Sequence, residues 1–348
     1  MPDPALLPPM NAALAEVAGP SLRWTTSYLD NPLLTSLEEI LREDWPFEPQ
    51  RMGLVDGALD GLARVVEQVV HLGDRVAIEN PGFPALMDLL ESNGAEVIPL
   101  DMDELGVTVD SLESAVRQQP VAVFTHPRAQ NPTGASMSEA RVRDLAEVMR
   151  SSSAWIVEAD HSGAIASGAD LSLGTYLPNR TLRIRSYSKS HGPDLRIAAI
   201  GGAADLIDPL MARRVLGPGW TSRILQGVLV KLLTSPEAIS SVKLARETYQ
   251  RRSLDFRMAM KASGIQVSPG DGINVWIRVR DERSALITLA AAGIQVAPGG
   301  PFMVTASASS HLRVTVGLLP DEDSEKARIF AIFAVAAQAQ PSVRGGIS

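Results

Sequence analysis

The chain of 348 residues contains no cysteine. That absence excludes disulfides, thiol nucleophiles and any zinc site with sulfur ligands. Only five histidines occur, scattered along the chain, so metal catalysis has little to draw on. Excess positive charge is missing too: the net charge is -8 and the isoelectric point is near 5.3. A nucleic-acid platform needs concentrated Lys and Arg, and the short clusters at 212–214 and 250–252 read as solvated helix faces. No apolar run approaches the roughly 20 residues that span a bilayer. The N-terminus "MPDPALLPPMNAALAEVAG" lacks the basic start and apolar centre of a signal peptide, so the expectation is a cytoplasmic protein.

What is present is enough apolar material for a large core. Hydrophobic residues make up 45% of the chain and the mean hydropathy is +0.06, which suits one large globular unit or two domains sharing an interface. From "GALDGLARVV" onward, an apolar helix, a Gly-Asp turn, a β-rich run, a Pro-Gly turn and another helix follow in order. Repetition of this βα alternation predicts an α/β fold with a mostly parallel, helix-covered sheet. After about residue 235 a long helix and then short strands with helices predict a smaller α+β domain. The expected division is a large domain over 36–235 and a small one from 1–35 and 236–348.

Three short apolar runs end in polar residues: "VAVFTHPRAQNPTG", "AWIVEADHSG" and "TLRIRSYSK". In open α/β sheets the ligand lies beyond the carboxyl ends of the strands. Asn131, Asp160 and Lys189 are thereby delivered toward one crevice. Lys189 lies among Ser186, Ser188 and Ser190, in a turn predicted between two buried strands. Without cysteine or metal, a lysine there can form a Schiff base with an aldehyde, and an aspartate can keep a pyridinium nitrogen protonated. Serines, Arg196 and the helix start near "VDGALDG" can bind a phosphate. Together these describe a pyridoxal phosphate site.

Five motifs in order, "PRAQNPTG", "VEADHSG", "RSYSKSHGPDLR", "GPGWTSRILQ" and "HLRVTVG", make nearly the whole chain resemble the fold type I, aspartate-aminotransferase-like PLP-dependent enzymes. More closely, it resembles the aminotransferase-like domain of MocR-type (GntR-linked) transcriptional regulators, whose winged-helix DNA-binding domain is not in this sequence. The resemblance implies that Lys189 is the Schiff-base lysine and general base. It implies that Asn131 donates to the cofactor's phenolic oxygen, and that Ser186, Ser188 and Arg196 bind the phosphate. Gly57 and Ala58 would add backbone donors to the phosphate, Phe83 would stack on the ring, and Arg313 would take a substrate α-carboxylate. Trp24 and Tyr28 are candidates for the substrate pocket.

Two positions depart from the pattern. Where relatives read "EDDH" or "EDDY", this chain reads "EADH", with Ala159 at one acidic position. Asp160 is expected to face the pyridine nitrogen. If position 159 points inward instead, that partner is missing and Glu158 or a water must substitute. His161 falls where many relatives carry a tyrosine that contacts the phenolic oxygen.

The activity implied is that of a PLP-dependent aminotransferase acting on an amino acid. Two alternatives accompany it: another PLP reaction (racemisation, side-chain replacement or carbon–carbon bond formation), and a PLP- and effector-binding sensor domain. A homodimer with shared sites is the implied assembly, with Trp220 and Arg223 as candidates for reaching across.

Overall fold

Short runs rich in Val, Ile and Ala become strands because branched side chains fit a pleated, buried surface. In the computed structural model, which describes residues 1–19, 27 and 30–340, an eight-stranded sheet has the order β1-β8-β7-β6-β5-β2-β3-β4. Its strands are β1 (Arg51–Val55), β2 (Arg75–Asn80), β3 (Glu96–Asp103), β4 (Gly106–Val107), β5 (Ala122–Thr125), β6 (Trp155–Asp160), β7 (Thr181–Ser186) and β8 (Ala198–Gly202). The run from β7 through β6, β5 and β2 to β3 is parallel. β8 is antiparallel to both of its neighbours, and β4 folds back on β3. The carboxyl ends of the parallel strands therefore open on one edge, where a ligand crevice belongs.

Alternation along the strands assigns side chains to two cores. On one face Val76, Ile78, Ala122, Phe124, Val157, Ala159, Leu182 and Ile184 meet helices Ala58–Val69, Pro84–Ser92 and Ala204–Val215. On the other, Ala77, Val123 and Ile156 meet helices Val109–Val116 and Glu139–Arg150. Because both faces are covered, the central strands read as nearly continuous apolar runs.

A smaller three-stranded antiparallel sheet, β10-β11-β9, is built from β9 (Asn274–Val279), β10 (Ala297–Pro298) and β11 (Ser310–Thr315). It packs on the long helix Pro236–Ala262 and on helices Glu282–Ala291 and Asp323–Gln338 through Phe256, Met260, Leu289 and Phe333. The N-terminal segment serves both units. Asp3 bonds Tyr249 and Arg252 of the long helix, whereas Ala13 and Val17 of helix Met10–Val17 share a core with Leu37, Leu41 and Val228.

Trp24 and Tyr28 lie outside the described residues. Among the described residues no helix is long and apolar enough to cross a membrane.

Candidate active site

Lys189 sits in the turn that joins β7 to β8, as the serine-flanked motif predicts. It is partly buried and has no ion-pair partner among the described residues. Burial first, and then the charge of Arg313, push its ammonium down to about 8, with Asp160 opposing. Lys189, Asp160 and Arg313 are thus within electrostatic reach of one another. His161 belongs to the same group: burial, followed by Lys189, holds its imidazole well below the ordinary value. Its Nδ1 is a buried atom with no hydrogen-bond partner.

At the end of β1, which lies across β8 from β7, Gly57 precedes helix Ala58–Val69, whose start has no side-chain cap. The first N–H groups of such a helix are unsatisfied and suit an anion. Gly57 has φ +104, and a Cβ there would stand 2.7 Å from Arg196 NH2. Arg196 NH2 donates to the Asp56 carbonyl at 2.9 Å, which fixes the guanidinium over the turn. Ser186 is buried at the end of β7 and accepts from Ser188 N at 3.3 Å. Gly57, Ala58, Ser186, Ser188 and Arg196 are accordingly the small or polar residues at this end.

Asn131 follows β5 and joins the two sheets. Its Oδ1 accepts from Asn274 Nδ2 at 3.3 Å and from Arg313 NH1 at 3.5 Å, which leaves its own amide hydrogens uncommitted. Arg313, on β11, lies with its guanidinium carbon 5.3 Å from the centroid of the Phe302 ring; its Nε is buried without a partner. Phe83 caps helix Pro84–Ser92 and packs against the same core as Ala58 and Ala159. The loop behind it is tied to the smaller unit, since Gly82 N donates to the Phe302 carbonyl at 2.8 Å.

Asp160, expected to face a pyridine nitrogen, is held by the chain's own groups. Arg128 grips it with two hydrogen bonds, of 3.2 and 2.7 Å, Gly163 N donates at 2.9 Å, and Arg183 NH2 reaches it at 3.3 Å. Burial alone would raise this carboxyl, but the charges of Arg128 and Arg183 outweigh it and hold it far below the usual carboxylate range. Period-two alternation places Glu158 with Asp160 on one face of β6, and Ala159 on the other with Phe83 and Ala58. Glu158 is equally committed, to Ser172, Leu173 N and Arg183. Position 159 therefore shares a face with Ala58 and Phe83, while Glu158 and Asp160 lie on the opposite one, each held by arginine.

Arg223 is buried, donates to the Asp30 and Asn31 carbonyls of its own chain, and stacks on Trp220 at 4.7 Å.

Sequence reasoning missed the groups behind these residues. Arg183 and Arg185 stand two apart in "TLRIRS", and the alternation of charge in a strand buried on both faces was the available signal. Each also binds Asp170. Arg214, fully buried, binds Asp56 and Asp60, and Thr221 Oγ1 donates to Asp56 Oδ1 at 2.7 Å. His126, one residue past β5, is held by Glu79. Nothing local in the sequence pairs residues so far apart.

Comparison with known proteins agrees with this fold. The vitamin B6 salvage pathway transcriptional repressor PtsJ of Salmonella typhimurium is 32% identical over 329 residues, 92% of this chain and 75% of PtsJ. Aminotransferase tdiD of Emericella nidulans is 25% identical over 78% of this chain and 69% of its own. Among solved structures, the kynurenine aminotransferase of Pyrococcus horikoshii superimposes with a TM-score of 0.85 at 21% identity, covering 97% of this chain and 88% of that one. Residues 12–328 match the family described as aminotransferase class I and II. With the match covering most of its length, the chain belongs to the aminotransferase class I and II family.

Proposed function

We propose that the protein holds pyridoxal 5'-phosphate through Lys189 and transaminates an amino acid. The observation that carries this reading is a lysine held down to about 8 by burial just past the end of β7, with the Gly57 and Arg196 cradle at the ends of the neighbouring strands β1 and β8. The residues fit the cofactor. The uncapped helix start after Gly57, with Ser186, Ser188 and Arg196, suits the phosphate. The orphaned Nδ1 of His161 and the free amide of Asn131 suit a phenolic oxygen. Phe83 supplies an apolar face for the ring, and Arg313 a fork for an α-carboxylate.

When bound, pyridoxal phosphate supplies an aldehyde carbon and a conjugated ring that accepts negative charge from the substrate's Cα. The chain's own residues do the rest. Lys189, neutral above about pH 8, takes the Cα proton and later returns one. Arg313 fixes the carboxylate so that the Cα hydrogen lies against Lys189, and its contact with Asn131 couples substrate position to the strand-end residues.

Two further parts of the reading rest on resemblance. One is a homodimer with shared sites, which sedimentation of the purified chain tests. The other is the division at 36 and 235, which the Asp3 contacts to the long helix support and the core packing of Ala13 qualifies.

A second reading is a sensor that binds the cofactor and an amino acid without turnover. The similarity to a transcriptional repressor and the alanine at position 159 favour it.

The experiment is the visible absorption of the purified protein with pyridoxal phosphate, wild type beside Lys189→Ala, followed by assay of keto acid with a panel of amino acids. A lysine-dependent band with keto acid supports transamination, and a band that amino acids shift without keto acid supports the sensor. No band in the wild type overturns both.

A further inference from the structure

The strand rows that face the crevice end in a distinctive set of residues. Beyond Ala122 and Phe124 of β5 comes His126; beyond Val157 of β6 come Ala159 and His161; beyond Leu182 and Ile184 of β7 comes Ser186. Ser186, Ala58 and Phe83 mark this as the face on which the cofactor reading rests. On it β6 offers only the methyl group of Ala159, while the arginines hold Glu158 and Asp160 on the opposite face.

His126 is the polar group that remains. Glu79 holds it twice: Oε1 accepts from His126 N at 2.8 Å and Oε2 from Nδ1 at 2.6 Å. Gln130 Nε2 donates to the same Oε2 at 3.1 Å, so the carboxylate is fully engaged. Nδ1 is therefore the proton-bearing nitrogen, and Nε2 is left over. Nε2 has no hydrogen-bond partner among the described residues, yet it is not among the fully buried orphan atoms, so it borders open space just past the end of β5. The His126 ring meets His161 edge-on at 5.5 Å, and His161 lies within reach of Lys189.

We propose that His126, oriented by Glu79, is the group of this chain that faces the ring nitrogen of the cofactor, in place of the carboxylate that the resemblance implies. One proton is then shared between Nε2 and the ring nitrogen. The Glu79 charge behind it steadies the positive charge on whichever ring holds the proton. Shared with Nε2, that proton draws electrons from the substrate's Cα less than one held by a direct carboxylate partner would. Glu79 is a positioning residue here, and His126 is the one that touches the cofactor.

This inference rests on the cofactor reading above, and nitrogen-15 NMR of the full chain loaded with ring-15N pyridoxal phosphate separates the two. Expected are a ring-nitrogen signal that moves in His126→Ala, moves less in the same direction in Glu79→Gln, and stays in Asp160→Asn. Keto-acid formation falls about tenfold in His126→Ala and is recovered when Ala159→Asp is added, a rescue that a merely structural loss would not allow. A ring-nitrogen signal identical in wild type and His126→Ala overturns the inference while leaving the cofactor reading intact. Failure of the wild type to take up the labelled cofactor overturns both. Should Asp160→Asn not fold, the comparison of His126→Ala with its Ala159→Asp rescue decides alone.

Discussion

Lys189 owes its low affinity for protons to burial and to Arg313, with only partial relief from Asp160. A neutral amine is the form that attacks an aldehyde, so capture of pyridoxal phosphate by the free protein should accelerate as pH rises and level off above about 8. Stopped-flow absorbance across that range checks it. Lys189→Ala should abolish the visible band and lower turnover by about 10²- to 10⁴-fold, the usual scale for loss of a positioned base. Gly57 offers a second test. An alanine there meets a φ of +104 and Arg196 NH2 at 2.7 Å, so the guanidinium must leave the Asp56 carbonyl. Gly57→Ala should raise the cofactor dissociation constant about tenfold, equivalent to about 1.4 kcal/mol, as fluorescence titration would measure. Lys189, Ser186 and Asn131 were legible in the sequence because strand-end motifs carry them. The direction of Asp160 was not, since register decides which of two neighbours faces the crevice, and the arginines that decide it are remote in sequence.

Strands β6 and β7 form an electrostatic ladder inside the sheet. Arg183, fully buried, reaches Glu158, Asp160 and Asp170, while Arg185 reaches Asp160, Asp170 and Asp44. Such buried networks add little net stability when whole, but removing one partner leaves buried charge uncompensated. Arg183→Met should therefore destabilise the fold by about 3–5 kcal/mol, seen as a lower urea midpoint at unchanged slope. At this scale the sequence was legible in outline. The βα alternation predicted the parallel sheet, and the long helix expected after about residue 235 is Pro236–Ala262. β1 was missed: five residues with Gly53 in the middle carry too little pattern, and pairing with β8 makes it a strand.

Among the described residues the molecule has one sheet of eight strands and one of three, and Lys189 follows a strand of the first while Arg313 lies on a strand of the second. Its response to acid follows from a buried histidine outside the ring-nitrogen row. Burial pushes His191 down to about 4 from an ordinary 6.5. Between those values the unfolded chain holds a proton that the folded one refuses, so stability rises with pH across the window and falls on acidification. The difference amounts to about 3 kcal/mol at 1.36 kcal/mol per unit. His191→Gln should flatten the dependence of the denaturation midpoint between pH 4 and 6.5.

The junction between the two sheets sets how well Arg313 is aimed at the strand ends. Asp271, in the loop before β9, accepts from Ser167 N and Gly168 N of the larger unit at 2.6 Å each, and its own N–H donates to the Gly134 carbonyl at 2.7 Å. Three backbone groups thus hold one loop against the other, a few residues from Asn131 and Asn274. Asp271→Ala removes the carboxylate and strands the N–H groups of Ser167, Gly168 and its neighbour Gly272, a loss of about 1–3 kcal/mol for each that stays dry. Because Lys189 and the phosphate cradle lie in the larger unit, the absorption spectrum and the Lys189 titration should not change. Arg313 belongs to the smaller unit, so KM for the amino acid should rise while kcat falls less. Amide exchange at 167 and 168 should quicken in step, by about tenfold for each 1.4 kcal/mol lost. Mass-resolved hydrogen exchange beside steady-state kinetics checks both. An unchanged KM with faster exchange would mean that the junction stabilises the fold without aiming the arginine.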